Sequence, residues 1–586
     1  MPTITINGKK CEFTPGQTIL QVANANGVNI PQYCYHDGLS IVASCRICLG
    51  EIWSPDPKTG QLAAQMGGKL QPTCQTPATD GAVVYTDSPK SVANQKAVME
   101  YLLINHPLDC PVCDQAGECF LQDYSYEYGR GVSRFEEQKV KQPKKDVGPH
   151  VLLYSDRCIM CTRCVRFTRE VTGTAELSVQ GRGNKEEIDV FPGVALDNEL
   201  ASNVIDLCPV GALLDKDFLF AQRVWFLKST PSIDGITASG DNINIEHNEG
   251  KVYRIKPREN MAINKWWITD EVRYGWKFIH SDERLRSPMR RQFGTLINSD
   301  YEKAYEDAVE GIRRATRDGK KLALLVSPML TCEDAYTLVR LAKQADPGAV
   351  LGIGPIPRKG QDKVFPVGAK AGDKNAFVVS AEKAPNARGV RRVLESFGQA
   401  LAFEDFLREL GKGSGRSDIG AVIVTGNYPS DWATQDLASS LEGKFVLLID
   451  TLNSRLVEQC DVLLPGATWA EKAGTFENWQ NKLQAFEQAI PVVEFCKAEG
   501  QIALDLISEW MQEPLELRDP ETVIVSTTPG QVAAGLTVAP PRGRLFNAGN
   551  VRAEMAANPA LRSFATEVSL PLSQVRTQTD MPFVNL

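Results

Sequence analysis

Grouped cysteines are the residues of this sequence with the most evident chemistry. The chain of 586 residues contains 15 cysteines, and twelve of them lie before residue 210. In a reducing compartment, cysteines grouped in this way are metal ligands more often than disulfide partners. We therefore expect metal chemistry in the first third of the chain. The early cysteines are Cys11, Cys34, Cys45, Cys48, Cys74, Cys110, Cys113, Cys119, Cys158, Cys161, Cys164 and Cys208, and the later ones are Cys332, Cys460 and Cys496.

The first set has a spacing close to that of a two-iron cluster. It comprises Cys34, Cys45, Cys48 and Cys74, in the pattern C-x10-C-x2-C-x25-C. Plant-type ferredoxins bind [2Fe-2S] through a related pattern, with a C-x2-C pair and a distant fourth cysteine. A structural zinc site is the alternative for four such thiols. The pattern favours a [2Fe-2S] cluster.

The third set has the spacing of a bacterial ferredoxin. It comprises Cys158, Cys161, Cys164 and Cys208, the last followed by Pro209. Two-cluster ferredoxins repeat C-x2-C-x2-C-x3-C-P, and the fourth cysteine of each run binds the other cluster. One complete group of four remains here, which predicts a single [4Fe-4S] cluster rather than zinc. Thr168 stands where the first run would have its fourth cysteine. The second run would have its first three cysteines at the positions of Asn198, Ala201 and Val204.

The middle set has one thiol too few for four cysteine ligands. Its stretch HPLDCPVCDQAGEC contains Cys110, Cys113 and Cys119, with His106 four residues before the first of them. An imidazole can replace a thiolate on a cluster, as in Rieske centres. A lone histidine is more often an ordinary surface or core residue, and this alternative stays open. His36, His150, His247, His280 and Cys11 lack such a context and are interpreted as structural.

Local patterns predict the elements that position these sets. TITINGKKCEF predicts a hairpin around Asn7-Gly8, and a short helix should follow, capped by Thr18 and ended by Gly27. This order is typical of a β-grasp domain. Residues 91–105 predict a helix, and residues 141–150 a polar linker. Beyond residue 226, helical stretches alternate with strands from Leu322 and at 421–426, 445–450 and 461–466, which predicts parallel sheets.

The predicted fold class is α+β and α/β, in several domains. After the N-terminal β-grasp [2Fe-2S] ferredoxin-like domain come the two four-iron modules and the large α/β region. The predicted ranges are 1–90 for the [2Fe-2S] domain, 91–150 for the His-Cys [4Fe-4S] domain, 151–225 for the ferredoxin-like [4Fe-4S] domain, 226–282 for a region without cluster cysteines, 283–515 for the α/β domain and 516–586 for a tail.

Composition and missing motifs exclude several function classes. A formal net charge of -8 argues against a nucleic-acid scaffold. The start MPTITINGKKCEF lacks the apolar region of a secretory leader, and no window has the length of apolar sequence that spans a bilayer. GIGP at 352–355 and DGKK at 318–321 lack the spacing of dinucleotide and phosphate loops. We therefore expect no direct small-molecule substrate.

Together the three sets closely resemble the G-subunit family of bacterial NADH:quinone oxidoreductase. The mitochondrial counterpart is the largest iron–sulfur subunit of the peripheral arm of complex I. The resemblance covers the chain to about residue 500. It implies one [2Fe-2S] cluster on the first set and one [4Fe-4S] cluster on each of the other two, with His106 as a ligand. It also implies no catalytic residues and no complete active site on this chain.

The α/β part is similar to molybdopterin oxidoreductases. The similarity lies in KVYRIKPREN at 251–260 and CDVLLPGATWAEKAGTFENWQNKLQ at 460–484. The chain departs from those enzymes because it has no cysteine between Cys208 and Cys332, so the additional cluster of some relatives should be missing. Cys332 would be the only candidate metal ligand, and we interpret it as a helix residue. No molybdopterin is expected.

The resemblance implies an electron-transfer subunit, with electrons passing from NADH- and flavin-binding subunits toward quinone. The expected partners are the NADH/FMN-binding subunit, the other iron–sulfur subunits of complex I and, indirectly, its membrane arm. The expected location is the cytoplasmic face of the bacterial inner membrane. The alternatives are an iron–sulfur or molybdenum subunit of an NAD-linked formate dehydrogenase, a hydrogenase, and a zinc-stabilised interaction protein.

Overall fold

The computed structural model describes residues 1–56, 58–411, 418–512 and 544–571. Within these ranges the chain forms two compact units. The first unit comprises residues 1–227 together with Phe365–Ala369, and the second comprises the other described residues from Lys228 onward. All three cysteine sets therefore lie in the first unit.

The N-terminal part of the first unit is a mixed sheet with one covering helix. Its elements are β1 (Thr3–Ile6), β2 (Lys9–Glu12), α1 (Ile19–Ala25), β3 (Leu49–Pro55), β4 (Leu62–Ala64), β5 (Gln71–Pro72) and β6 (Val83–Tyr85). β1 pairs antiparallel with β2 and parallel with β6, in the order β2-β1-β6-β3-β4. Asn7 and Gly8 have φ angles of 50° and 79°, the positive values that a type I′ turn requires. The predicted hairpin is confirmed.

A capping box at Thr18 and a glycine at position 27 set the two ends of helix α1. The Thr18 side chain accepts a hydrogen bond from the Gln21 backbone, and the Gln21 side chain accepts one from the Thr18 backbone. This reciprocal capping box satisfies two backbone donors that the first turn leaves free. Leu20 and Val22 are buried in the sheet core, while Gly27 takes a φ of 66° just past the helix. The predicted helix with a Thr18 cap is confirmed.

The rest of the first unit contains short elements around the cysteine loops. These elements are α2 (Pro89–Leu103), α3 (Phe120–Glu127), β7 (Lys144–Asp146), β8 (Val151–Tyr154), α4 (Arg163–Glu170), β9 (Leu177–Gln180), β10 (Glu187–Val190), α5 (Asn203–Leu207) and β11 (Leu213–Asp215). The helix predicted at 91–105 corresponds to α2. The stretch predicted as a linker contains β7, which pairs with the edge of β8. Backbone pairing at a sheet edge does not require apolar side chains, so composition alone did not reveal this strand.

The second unit opens with a three-stranded antiparallel sheet. Its elements are β12 (Lys228–Ile233), β13 (Asn242–Asn248), β14 (Lys251–Pro257) and α6 (Asp270–Tyr274), and the strand order follows the sequence. Ile243, Ile245 and Ile255 are almost fully buried beneath it. This region thus has an apolar core of its own.

An eight-stranded sheet dominates the second unit. The elements along this part of the chain are β15 (Met289–Gln292), β16 (Thr295–Asn298), α7 (Tyr301–Ala315), β17 (Lys321–Val326), α8 (Cys332–Ala345), β18 (Val350–Ile353), β19 (Lys363–Phe365), β20 (Phe377–Val379), α9 (Ala387–Glu395), β21 (Ala400–Leu401), α10 (Phe403–Gly411), β22 (Ile419–Thr425), α11 (Gln435–Leu441), β23 (Phe445–Asp450), β24 (Val462–Pro465), β25 (Gly474–Glu477), β26 (Leu483–Phe486), α12 (Glu499–Met511), α13 (Ala548–Met555) and α14 (Ser563–Thr566).

The predicted parallel sheet is confirmed. The strand order is β16-β15-β24-β23-β22-β17-β18-β21, and the pairs from β24 to β21 are parallel. The apolar stripe of α7 at Ala304, Ala308 and Ile312 is buried in the core beside the sheet. Helices α2 and α7, the longest that the structure describes, have 15 residues. No helix in the described ranges is both long and apolar enough to cross a bilayer.

Part of the predicted tail is folded. Residues 516–543 and 572–586 of the predicted tail lie outside the described residues. Between them α13 and α14 bury Val551, Met555 and Phe564 in the main core of the second unit. These three apolar side chains explain why this segment is helical and packed.

Candidate functional site

The structure brings the four thiols of the first set together. Cys34 and Cys45 share a side-chain hydrogen bond, as do Cys48 and Cys74, and the charge of Cys34 acts on the other three. Donation from the Cys45 thiol lowers the pKa of Cys34 to about 5, and donation from Cys74 lowers that of Cys48 to about 7. The hydrogen bond to the partner sulfur, together with burial, raises the pKa of each donor thiol, so Cys45 and Cys74 retain their protons. Four sulfur atoms in this arrangement can bind two metal ions.

The loop around the first set turns sharply and points backbone donors at sulfur. Ala43 and Arg46 take left-handed φ angles of 50° and 57°, which few residues other than glycine adopt. The backbone N–H groups of Ser44 and Cys45 donate to the Cys34 sulfur. Hydrogen bonds to sulfur stabilise the thiolate form and tune the potential of an iron–sulfur cluster. The donor set therefore fits a cluster.

The third set lines a pocket of its own. Cys158, Cys161 and Cys164 lie on the loop and first turn of α4, and Cys208 follows α5. Most of the other residues that line this pocket are apolar. These lining residues are Leu153, Ile159, Thr162, Arg163, Ile188, Val210, Ala212 and Leu213. A mainly apolar wall excludes water from whatever the thiols bind.

Burial disfavours the thiolates of the third set, while backbone donors favour them. Burial raises the pKa of Cys158 to about 12 and that of Cys208 to about 11. Metal binding displaces such protons, so affinity for metal rises with pH. The backbone N–H groups of Val210, Ala212 and Leu213 donate to the Cys208 sulfur. Three donors aimed at one sulfur fit an iron–sulfur cluster, whose sulfur atoms bear negative charge.

The three thiols of the middle set lie close together, and His106 is a half-buried neutral imidazole. The Cys110 and Cys113 charges both act on Cys119, the N-cap residue of α3. Burial and the charges of Arg157 and Lys139 lower the pKa of His106 to about 4. It is therefore neutral near pH 7, the form that binds metal.

Ligation by His106 stays a prediction. The groups whose charges act on His106 are Arg157, Lys139 and Asp109, and the thiols of the middle set are not among them. Within the described ranges, no group of three or more His, Cys, Asp or Glu side chains is arranged so that it could hold one metal ion. A four-iron cluster places each protein ligand on a different iron, so its ligands need not converge on a point.

Backbone contacts join the middle set to the third set. The Phe120 N–H donates to the Pro209 carbonyl over 3.0 Å, which links the residue after Cys119 to the residue after Cys208. A Cβ atom built on Gly211 would lie 2.3 Å from the Cys113 sulfur. The loop that follows Cys208 therefore lies directly against the middle set.

Gly211 should consequently be required for the middle set. In Gly211→Ala, the added methyl overlaps the Cys113 sulfur, and such overpacking costs about 1–3 kcal/mol. We expect the variant to lose up to about four irons per chain while the other two sets keep theirs. Iron analysis after anaerobic purification measures this. Gly131→Ala is the matched control because a Cβ there meets nothing within 4 Å, and equal iron in both variants would contradict the expectation.

An arginine joins the first set to the third set. Arg166 donates from Nη2 to the Cys34 carbonyl over 2.5 Å and to the Cys161 carbonyl over 3.2 Å. The Cys34 charge also acts on Cys161. The third set is thus adjacent to both of the others. Sequence reasoning did not single out Arg163, Arg166 or Gly211, although two arginines between and beside cluster cysteines were a visible signal.

The remaining cysteines lie outside these sets. Cys332 begins α8 and is fully buried, with its sulfur 3.4 Å from Asn386 Oδ1. The expectation that it is a helix residue is confirmed. Burial raises its pKa well above the usual value, which disfavours the thiolate that a metal needs. Cys11, Cys460 and Cys496 are likewise buried.

Buried side chains close the carboxyl end of the parallel sheet. Asn427, just after β22, donates from Nδ2 to Glu499 Oε1 over 2.9 Å. Lys472 pairs with Glu499 and, over 2.9 Å, with Asp334. A Cβ on Gly466 would lie 2.7 Å from Glu499. Ligands of open α/β sheets bind at this end, and here the chain's own polar side chains fill it beside β22 and β24.

Five family models match the chain in order. They are a 2Fe-2S iron-sulfur cluster binding domain at 1–89, the NADH-ubiquinone oxidoreductase-G iron-sulfur binding region at 95–134, the ferredoxin-like domain of NADH-quinone oxidoreductase subunit 3 at 148–214, the NADH-ubiquinone oxidoreductase NDSU1/NuoG-like 4Fe-4S domain at 227–277 and molybdopterin oxidoreductase at 398–509. The match at 227–277 covers no cysteine of this chain. The expected succession of iron–sulfur domains followed by a molybdopterin oxidoreductase domain is confirmed.

Curated relatives match somewhat more than half of the chain. The G subunit of the NADH-quinone oxidoreductase of Rickettsia felis is 36% identical over 345 residues, which are 59% of this chain and 49% of the relative. The mitochondrial NADH-ubiquinone oxidoreductase 78 kDa subunit of Neurospora crassa is 38% identical over 344 residues, 58% of this chain and 44% of the relative. The chain thus spans about half the length of the curated relatives it matches. A solved NAD+-reducing [NiFe]-hydrogenase is 30% identical with a TM-score of 0.33, covering 38% of this chain and 91% of that chain.

Proposed function

We propose that this chain, a relative of the G subunit of NADH-quinone oxidoreductase and of the mitochondrial 75 and 78 kDa subunits, is an iron–sulfur electron-transfer subunit of the peripheral arm of a respiratory complex I. The observation that supports this most strongly is the adjacency of three cysteine sets within one compact unit. Two of the sets provide four thiols each and the middle one provides three. The chain would serve an NADH:quinone oxidoreductase without having a complete active site.

We assign one cofactor to each set. The first set would bind [2Fe-2S] and the third set [4Fe-4S], and the middle set would bind [4Fe-4S] with His106 as its fourth ligand. Such clusters accept and release single electrons. The assignments are supported by the burial of most of these cysteines, although Cys110 is exposed. Backbone donors to Cys34 and Cys208 and the low pKa of the His106 imidazole support them as well.

The contacts between the sets favour an order. Arg166 bonds to carbonyls of the first and third sets, and the Pro209 carbonyl bonds to the backbone beside the middle set. We therefore propose that the third set is the central member of the relay, with the first and middle sets on either side. The protein keeps the sets adjacent and screens the third from water with Leu153, Ile188 and its other apolar neighbours.

The partners would be the NADH/FMN-binding subunit, other iron–sulfur subunits and, indirectly, the membrane arm. The subunit would then be peripheral on the cytoplasmic face of the inner membrane. Nucleic acid is not proposed as a partner. The second unit would serve as a scaffold without molybdopterin, which agrees with the closure of its sheet end by Lys472 and Glu499.

Metal analysis tests the cofactor assignments and separates the alternatives. We expect about ten irons per chain after anaerobic purification, since one [2Fe-2S] and two [4Fe-4S] clusters require that number. A value of about six would leave the His106 site empty or labile. Stoichiometric molybdenum would contradict the relay and favour a formate dehydrogenase subunit.

A tagged chain tests the proposed partners. The tagged chain is expressed in its source organism and isolated with mild detergent. We expect the isolated sample to contain flavin and to catalyse NADH oxidation coupled to quinone reduction. NADH should then reduce its iron–sulfur centres. Reduction by formate or hydrogen instead would support one of the alternatives.

Cys332→Ser tests the molybdenum alternative from the protein side. The Cys332 sulfur is buried 3.4 Å from Asn386, and a serine hydroxyl can bond to the same amide. We expect unchanged iron and electron transfer, with a loss of stability of about 1 kcal/mol. Electron transfer and thermal unfolding measure the two effects. A lost activity in a protein that keeps its iron would contradict the assignment of Cys332 to structure.

A further inference from the structure

Two arginines of α4 bond to backbone carbonyls of the cysteine loops. Arg166 donates to Cys34 and Cys161 as described and also, over 2.5 Å, to the Ser40 carbonyl. Arg163 donates to the Tyr35 carbonyl and, over 3.3 Å, to the Leu207 carbonyl. Each guanidinium therefore spans from the loop of the first set to a segment of the third set.

Both arginines are buried without a carboxylate partner. Arg163 is 6% exposed and Arg166 is 8% exposed. In the described part of the chain neither forms an ion pair with Asp or Glu, and the Nε atom of each is buried without a hydrogen-bond partner. A buried cation without a counter-ion is strongly unfavourable. The two arginines therefore require negative charge from another source.

The negative charges that act on Arg163 come from the cysteine sets. The charged groups acting on the Arg163 guanidinium include Cys161, Cys34 and Cys208, of which Cys161 acts most strongly. Arg166 reaches the peptide carbonyls of Cys34 and Cys161 themselves. A cluster bound by four thiolates has a net negative charge, and its reduction adds one more. A cation beside it stabilises the reduced form and raises its midpoint potential.

We propose that Arg163 and Arg166 are the shared counter-ions of the first and third sites, and that these positioning residues raise the midpoint potentials of both. This inference rests on the proposed function, because it requires clusters on both sets. Arg166 acts on both potentials because it bonds to both cysteine loops. Arg163 acts more strongly on the third site, since Cys161 and Cys208 both belong to that set.

The test is redox titration monitored by electron paramagnetic resonance. The full-length chain is purified anaerobically with its iron, and the midpoint potentials of its two-iron and four-iron signals are measured. Arg166→Gln should lower both the [2Fe-2S] and third-site potentials by at least the equivalent of a tenfold change in a one-electron equilibrium, about 59 mV. Arg166→Lys retains the charge and should restore most of each shift. Arg163→Gln should lower the third-site potential more than the first-site potential.

Arg258→Gln is the matched control. Arg258 is a buried arginine of the second unit that is also 8% exposed and bonds to the carbonyls of Ser232 and Ile243. Its loss should lower thermal stability without moving either potential. Arg166→Gln and Arg258→Gln then separate a charge effect from a packing effect.

Several outcomes would overturn the inference. Unchanged potentials in Arg166→Gln with full iron would show that the arginine only packs the loops, and would leave the proposed function intact. Equal shifts in Arg166→Gln and Arg166→Lys would exclude charge as the cause. If Arg166→Gln loses iron, the test depends on the two midpoint potentials of Arg163→Gln. Unchanged potentials in that variant would overturn the inference. A wild-type chain without two-iron and four-iron signals would overturn the proposed function as well.

Discussion

Cys208→Ser is expected to remove about four irons per chain and to stop electron transfer between the other two sites. Cys208 is the most remote ligand of the third set in sequence, and three backbone donors converge on its sulfur. A serine hydroxyl is a poor replacement for a thiolate on iron, so the third site should not assemble stably. Because that set adjoins both others, electrons should no longer pass between the first and middle sites when it is lost.

Iron content and NADH-driven reduction of the individual sites measure this effect. With electrons entering at the first set, the first site should still become reduced in Cys208→Ser, and the middle site should not. Cys460→Ser is the matched control, since Cys460 is also buried but lies outside the three sets. Normal reduction of the middle site in Cys208→Ser would contradict the central position of the third set.

His106→Ala is expected to remove the middle cluster alone, leaving about six irons per chain. The three thiols Cys110, Cys113 and Cys119 cannot complete four-fold ligation, and the neutral imidazole is the only ligand proposed to do so. The first and third sets should keep their iron because their four thiols are independent of His106. Electron transfer beyond the third site should then be lost.

His106→Cys and His247→Ala sharpen this test. A thiolate at position 106 should restore the iron and lower the potential of the middle site, because it adds negative charge. His247 is a buried histidine of the second unit whose ring nitrogen lies 2.9 Å from Thr230 Oγ1, and its loss should leave all iron in place. Ten irons in His106→Ala would exclude ligation, and loss of iron from all three sets would indicate a folding role.

Local chemistry made several elements predictable from sequence. The positive φ angles at Asn7 and Gly8 and the capping box at Thr18 depend on neighbouring residues alone, so pattern and structure agree. The apolar runs of β22 and β23 identified buried parallel strands for the same reason. Ligand spacing likewise identified the first and third sets, because C-x2-C turns are local features.

Long-range contacts were not predictable in this way. Cys34 and Arg166 are 132 residues apart, and their hydrogen bond depends on how two separate segments pack. The adjacency of Gly211 to Cys113 likewise arises only when the loop after α5 folds onto the middle set. Strand β7 forms in a charged stretch because its backbone pairs with the edge of β8. These features carry no signature in the residues nearby.

The most direct test of the relay's cofactors is a Mössbauer spectrum of the anaerobically purified chain enriched in ⁵⁷Fe. If the three sets bind as proposed, about one fifth of the iron should show the parameters of [2Fe-2S] and the rest those of [4Fe-4S]. The two classes should account for about ten irons per chain. A spectrum with a single class of iron, or a chain that retains zinc in place of iron, would contradict the three-cluster assignment.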